Sequence, residues 1–125
     1  MSKTRINQES QEDYLESIYY ISLRQPLVRS IDVANDRGVS KASVSQAMHS
    51  LKDKGLVCFE KDYSLHLTPA GEEIAKAVYK KHEVITSLLL KLGISEKNAR
   101  IDACRLEHFI SEETFSALKA LEEKL

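Results

Sequence analysis

SIDVANDRGVSKASVSQAMHSLKDKG, residues Ser30 to Gly55, reads as two helices hinged on a glycine. Ser30 can cap a short helix over Ile31–Arg37, with Asp32 in its first turn, where a carboxylate meets the positive end of the helix dipole. Gly38 follows at the position where helices commonly end in a left-handed residue. Ser40 can cap a longer helix from Lys41 to Lys54, closed by Gly55. Ile31, Val33, Ala34, Val39, Val44, Ala47, Met48 and Leu51 are the expected shared core. The face left over carries Ser40, Lys41, Ala42, Ser43, Ser45 and Gln46 at the start of the second helix. Small groups allow close approach to DNA, Gln can pair with adenine, and Ser or Lys can hold phosphate. A small helical protein-interaction module would share most of this pattern.

Downstream, Val57-Cys58-Phe59-Glu60 and Leu65-His66-Leu67 are short and strand-like. Lys61-Asp62-Tyr63-Ser64 joins them as a hairpin turn, which makes the pair a wing beside the reading helix. From Arg37 to Lys61 five cations face two anions, a net charge of +3 inside a chain of -1. That local excess places Lys61 with the DNA-facing residues, although the chain as a whole has no basic field.

The rest of the composition bounds the fold. A chain of 125 residues with 42% hydrophobic and 30% charged residues suits one domain or two small helical lobes. Four Gly and two Pro leave room for long helices. There is no apolar run or leader of the kind that inserts into or crosses a membrane, so a soluble, cytoplasmic protein is expected. Cys58 and Cys104 fit no disulfide framework, and a reducing compartment suits them.

Outward from the centre, residues Met1 to Gln8 read as a loose polar lead-in. Glu9 to Leu23 reads as a helix whose apolar residues are Tyr14, Leu15, Ile18, Tyr19 and Ile21. Asp13 and Glu16, three apart, share another flank: a solvated acidic edge, or two oxygen ligands. Thr68 and Pro69 start a long helix to about Leu92, with an apolar stripe of Ile74, Val78, Ile85, Leu89 and Leu92. His82 lies in that stripe, as a core residue or a ligand. Ser95 caps the next helix, which is expected to carry Cys104, Glu107 and His108 at spacing i, i+3, i+4 on one face. A thiolate, a carboxylate and an imidazole form a partial coordination sphere that needs partners from elsewhere. Ser111 caps a last helix whose stripe of Phe115, Leu118 and Leu121 is either packing or a dimer seam.

Four segments together resemble the metal-dependent repressors of the diphtheria toxin repressor and manganese transport regulator family. They are Glu12 to Tyr19, Val44-Ser45-Gln46, Leu67-Thr68-Pro69-Ala70-Gly71, and Ala103-Cys104-Arg105-Leu106-Glu107-His108. The resemblance covers nearly the whole chain in the family's order. It implies a mostly α fold: a winged helix-turn-helix DNA-binding domain over residues 1–70, then an all-α metal-binding and dimerisation domain over 71–125. It implies that Asp13, Glu16, His82, Cys104, Glu107 and His108 hold a divalent metal. Asp13 and Glu16 are similar to the manganese-sensing branch and Cys104 to the iron-sensing branch. Thr86 and Arg100 stand where the iron branch has ancillary ligands, and Ile85 where the manganese branch has a second-site carboxylate. One metal per chain is therefore expected. The extra C-terminal domain of many iron-branch members is not.

The expected function is a metal-responsive repressor that binds operator DNA as a homodimer. Without metal the acidic groups Asp13, Glu16 and Glu107 would repel one another; a cation would turn that repulsion into coordination. Hard oxygen donors suit Mn2+ and Fe2+ alike, and the soft thiolate of Cys104 favours Fe2+. Two alternatives stand beside this. One is a winged-helix regulator of a small organic ligand, whose DNA binding would ignore metal. The other is a metal-dependent hydrolase, which the residues argue against because every candidate is used as a ligand and no base is left.

Overall fold

In the computed structural model, the backbone of residues 3–125 and the side chains of residues 11–125 are described. Six helices and one hairpin follow in order: α1 (Lys3–Ser22), α2 (Ser30–Arg37), α3 (Lys41–Asp53), β1 (Val57–Phe59), β2 (Leu65–Leu67), α4 (Pro69–Lys91), α5 (Glu96–Leu106) and α6 (Glu112–Lys124). The architecture is a winged helix-turn-helix followed by helices alone. The chain divides into two compact units, Met1–Lys76 and Ala77–Leu125, with the division inside α4.

In the first unit, Leu15 and Ile18 of α1 meet Val33 of α2, Val44, Met48 and Leu51 of α3, Val57 and Leu65 of the hairpin, and Ala75 of α4 in one core. Each of the larger side chains among them contributes about 1.5–3 kcal/mol through burial. The strands are antiparallel, with Val57 opposite Leu67 and Phe59 opposite Leu65. Leu65 also donates its N–H to the Val28 carbonyl at 2.7 Å, which ties the wing to the segment before α2. Ser40 caps α3 as expected, accepting from the Ser43 N–H at 3.1 Å, and Gly38 takes the left-handed conformation at φ 66°.

The Leu67 to Gly71 segment has a steric reason for its sequence. Thr68 Oγ1 donates to the Gly55 carbonyl at 2.7 Å and accepts from the Gly71 N–H at 3.1 Å. Pro69 opens α4 where its missing N–H costs nothing. A Cβ on residue 71 would lie 2.0 Å from the Leu56 carbonyl oxygen, so only glycine fits.

Several expectations change. The lead-in is not loose from Lys3 onward, because the backbone of α1 already begins there; Lys, Arg, Gln and Glu are good helix formers. Met1 and Ser2 lie outside the described residues. Ser30 is the first residue of α2 rather than its cap: the Arg29 N–H donates to Asp32 Oδ2 at 2.9 Å and makes that closure. Ile31 and Val39 are 40% and 39% exposed and belong to no core; one faces outward at the start of α2 and the other sits in the turn.

In the second unit, Val78, Ile85 and Leu88 of α4 are buried, as are Ala99 and Ala103 of α5. Leu92 of the expected stripe is exposed, since it lies past the end of α4. No residue of α6 is buried. Phe115 and Leu118 are half-buried, and polar contacts also anchor the helix: Lys91 Nζ and Ser87 Oγ both donate to Glu122 Oε2, and Lys81 pairs with Glu112 at 2.8 Å.

Candidate metal centre and nucleic-acid interface

The candidate ligands divide between the units. Asp13 and Glu16 belong to the first; His82, Cys104, Glu107 and His108 belong to the second. Within the second unit, α5 ends at Leu106, so Glu107 and His108 follow the helix rather than ride on it. Glu107 still has helical angles, φ -60° and ψ -23°, and its N–H donates to the Ala103 carbonyl. The one-face spacing therefore survives the helix end. A ligand atom from each of Cys104, Glu107 and His108 lies within 4.8 Å of the others.

Glu107 is the centre of this cluster. Its carboxylate is fully buried, with Oε2 3.1 Å from His82 Nδ1 and Oε1 3.4 Å from His108 Nε2. His82 comes from the middle of α4 and His108 from the turn after α5, so two elements place an imidazole against each oxygen. Burying a carboxylate is costly unless charge or hydrogen bonds compensate it. Cys104, Glu107 and His108 form a donor set that a divalent transition metal fits, and His82 reaches the other oxygen of the same carboxylate. The stripe position of His82 is thus explained by a partner rather than by packing. Cys58 and Cys104 are both free thiols.

In the first unit, Glu16 is buried and Asp13 half-buried on α1. Asp13 is not an isolated anion: Arg37 Nη2 lies 3.2 Å from its Oδ2. One turn along α1, Ser17 Oγ donates to Asp36 Oδ2 at 2.5 Å. Arg37 is one of the cations of the +3 stretch, so that excess is partly neutralised in place. The i, i+4 spacing of Asp13 and Ser17 was visible in the sequence; its pairing with the end of α2 was not.

The reading face is exposed. Ser40, Lys41, Ala42, Ser43, Gln46 and Lys61 all reach solvent, while Val44 and Met48 on the opposite face of α3 are fully buried. Ser43 Oγ accepts from Ser40 Oγ at 3.0 Å, which orders the first turn. At the wing tip, Asp62 Oδ1 accepts from the Ser64 N–H and hydroxyl at 3.0 and 2.6 Å. Those bonds hold its carboxyl below the usual range, the Ser64 hydroxyl most of all. Among the described residues no helix is long and apolar enough to cross a membrane.

Comparison with known proteins covers both units. The iron dependent repressor N-terminal DNA binding domain matches residues 8–65, and the iron dependent repressor metal binding and dimerisation domain matches residues 68–125. The transcriptional regulator MntR of Salmonella typhimurium is 33% identical over 109 residues, 87% of this chain and 69% of that protein. An uncharacterized HTH-type transcriptional regulator of Methanocaldococcus jannaschii is 35% identical over 93% of this chain and 94% of its own length. Among solved structures, the manganese regulator SloR superposes with a TM-score of 0.81 at 29% identity, over 90% of this chain and 53% of that one. A manganese-dependent transcriptional repressor in complex with manganese gives 0.83 at 26%, over 90% and 52%. The chain thus spans about half the length of these two solved relatives.

Proposed function

We propose a function from one premise: the chain belongs to the iron-dependent repressor family, whose members regulate transcription in response to metal. It is a metal-responsive repressor acting in the cytoplasm on double-stranded operator DNA as a homodimer. Residues 1–70 serve as the DNA-binding domain and 71–125 as the metal-binding and dimerisation domain. The observation that carries this is the buried Glu107 carboxylate, set between His82 and His108 with Cys104 beside it.

Asp13, Glu16, His82, Cys104, Glu107 and His108 would hold one divalent cation. When bound, the cation supplies positive charge to three carboxylates and a thiolate. The chain's own residues do the rest. His82 and His108 bring ring nitrogens to opposite oxygens of the buried Glu107 carboxylate, so all three side chains offer donor atoms at one place. Ser40, Lys41, Ala42, Ser43 and Gln46 present the reading edge, and Lys61 meets phosphate. Phe115, Leu118 and Leu121 form the seam with a second copy. A two-fold dimer sets two α3 helices at a fixed separation, which must match half-sites about 34–36 Å apart or a multiple. Ordering that separation links metal and DNA affinity reciprocally.

For the metal, ferrous iron comes first on the strength of the Cys104 thiolate, with manganese, which is named for two of the structural relatives, as the competing assignment. The experiment is an anaerobic titration of DNA binding with Fe2+ and Mn2+, on a duplex selected from a random pool by the metal-loaded protein. Glu107→Ala and His108→Ala should lose the metal stimulation while keeping their helical circular dichroism. Cys104→Asp should shift the preference towards Mn2+. A Glu107→Ala protein that binds as tightly as wild type, whether or not chelator is present, would sink the switch.

A further inference from the structure

We propose that Arg37 is a built-in counter-cation that competes with the metal for Asp13, and so sets the metal concentration at which the protein responds. This rests on Asp13 being a ligand, as proposed above. Arg37 Nη2 lies 3.2 Å from Asp13 Oδ2, with the side chains only 28% and 15% exposed. Solvent and salt therefore screen this pair less than an ordinary surface pair. The guanidinium is delivered by a braced backbone: the neighbouring Asp36 is bonded to Ser17, one turn on from Asp13. Arg37 also cannot shed its charge by deprotonating.

Two roles are open to a cation beside a ligand carboxylate, and they have opposite signs. As a positioning group it would hold the carboxylate ready, and its loss would weaken metal binding about 10–100-fold. As a competitor it would repel an incoming divalent ion at short range, and its loss would tighten binding. The second effect dominates here. A fixed unit charge and a divalent ion sharing one partly buried carboxylate lie well inside the screening length of about 8–10 Å, whereas the bond from Ser17 to Asp36 already holds α1 against α2 without help from Arg37. Arg37 is also the last residue of α2, directly before the Gly38 turn that leads into α3. The competition thus sits at the root of the reading helix.

The test measures Mn2+ affinity of the full chain by competition with a fluorescent chelator, using wild type, Asp13→Ala, Arg37→Leu, Arg37→Gln and Arg37→Lys. Arg37→Leu and Arg37→Gln should bind Mn2+ at least tenfold tighter. Their metal-free melting temperature should fall, since Asp13 loses its counter-charge, and their gain in melting temperature with Mn2+ should exceed that of wild type. Arg37→Lys, which keeps the charge, should stay within threefold of wild type. If Asp13→Ala weakens Mn2+ binding while Arg37→Leu and Arg37→Gln leave it unchanged or weaker, the competitor role is overturned and the ligand assignment stands. If Asp13→Ala leaves Mn2+ binding unaffected, Asp13 is no ligand and both fall. The Arg37→Gln variant keeps the test open should Arg37→Leu fail to fold.

Discussion

Among the described residues of the unit Met1–Lys76 twelve buried apolar residues, drawn from three helices, the segment before α2, both strands and α4, form one cluster; in the unit Ala77–Leu125 only five are buried, two of them alanines. The first unit closes on hydrocarbon. The second encloses a carboxylate between two histidines and leaves Ile101, Leu106, Leu121 and Leu125 exposed. An element that cannot bury its apolar stripe within its own chain is one that a second copy can complete. A buried anion is one that a cation can complete. The contrast thus matches a reader that folds on its own core, joined to a sensor that depends on what binds it.

The largest expected effect tests that contrast directly. Leu51→Ala in the first core should lower stability by about 2–5 kcal/mol, because the fully buried cavity it leaves cannot relax completely. Leu121→Ala in α6 should cost little in dilute solution, since the side chain is 42% exposed. Its cost should grow with protein concentration, as expected for a residue that stabilises a dimer, while that of Leu51→Ala should not. Urea unfolding across a concentration series, with light scattering, reads both. Equal and concentration-independent costs would mean that α6 belongs to an ordinary core.

Next comes the junction at the start of α4. Gly71→Ala places a methyl group 2.0 Å from the Leu56 carbonyl oxygen, and the obstacle is backbone rather than a side chain that could swing away. The expected loss is about 1–3 kcal/mol or more. A melting temperature unchanged from wild type would show that the strand-to-helix joint is far softer than its packing implies.

Much of the first unit was legible in the sequence because its signals are local. Ser40 before Lys41, Gly38 after Arg37, and Thr68-Pro69 before a periodic run each specify a cap or a break from adjacent residues alone. The errors have equally local causes. Ile31 and Val39 are apolar at the right spacing, yet one faces outward and the other sits in the turn, and periodicity alone cannot tell an inward side chain from an outward one at a helix end. The pentad Cys104 to His108 was read as helix throughout; its useful geometry survives only because Glu107 keeps helical angles past the end of α5. Two facts could not be read at all. The approach of His82 to Glu107 and the pair of Arg37 with Asp13 join residues 25 and 24 positions apart, and only the fold brings them together.

A smaller effect separates the two faces of α3. Met48 is fully buried and Gln46 exposed, two residues apart. Gln46→Ala should leave the melting temperature alone and relax base preference at one position of each half-site, by about 1–3 kcal/mol against the preferred base. Lys41→Ala should weaken all sequences alike and lower the salt slope by about 1. Unchanged base preference in a selection from random duplexes would move readout away from Gln46.

The smallest effect contrasts one carboxylate from each unit. Asp62 at the wing tip is held below the usual carboxyl range chiefly by the Ser64 hydroxyl, then by the Ser64 N–H. Glu122 on α6 is lowered chiefly by Lys91, then by Ser87. Both groups have a folded-state pKa below the unfolded one. Each therefore adds stability that is complete above the unfolded pKa and is lost as pH falls through the folded pKa. The causes differ in kind. A neutral hydroxyl is indifferent to ions, whereas an attraction to Lys91 weakens as salt screens it, the screening length falling to about 3 Å at 1 M. Carboxylate titrations followed by NMR at low and molar salt should show the Glu122 depression shrinking and the Asp62 depression holding. If Asp62 moved with salt as much as Glu122, its depression would come from the nearby Arg29 charge rather than from the serine, and the wing tip would be an electrostatic rather than a hydrogen-bonded structure.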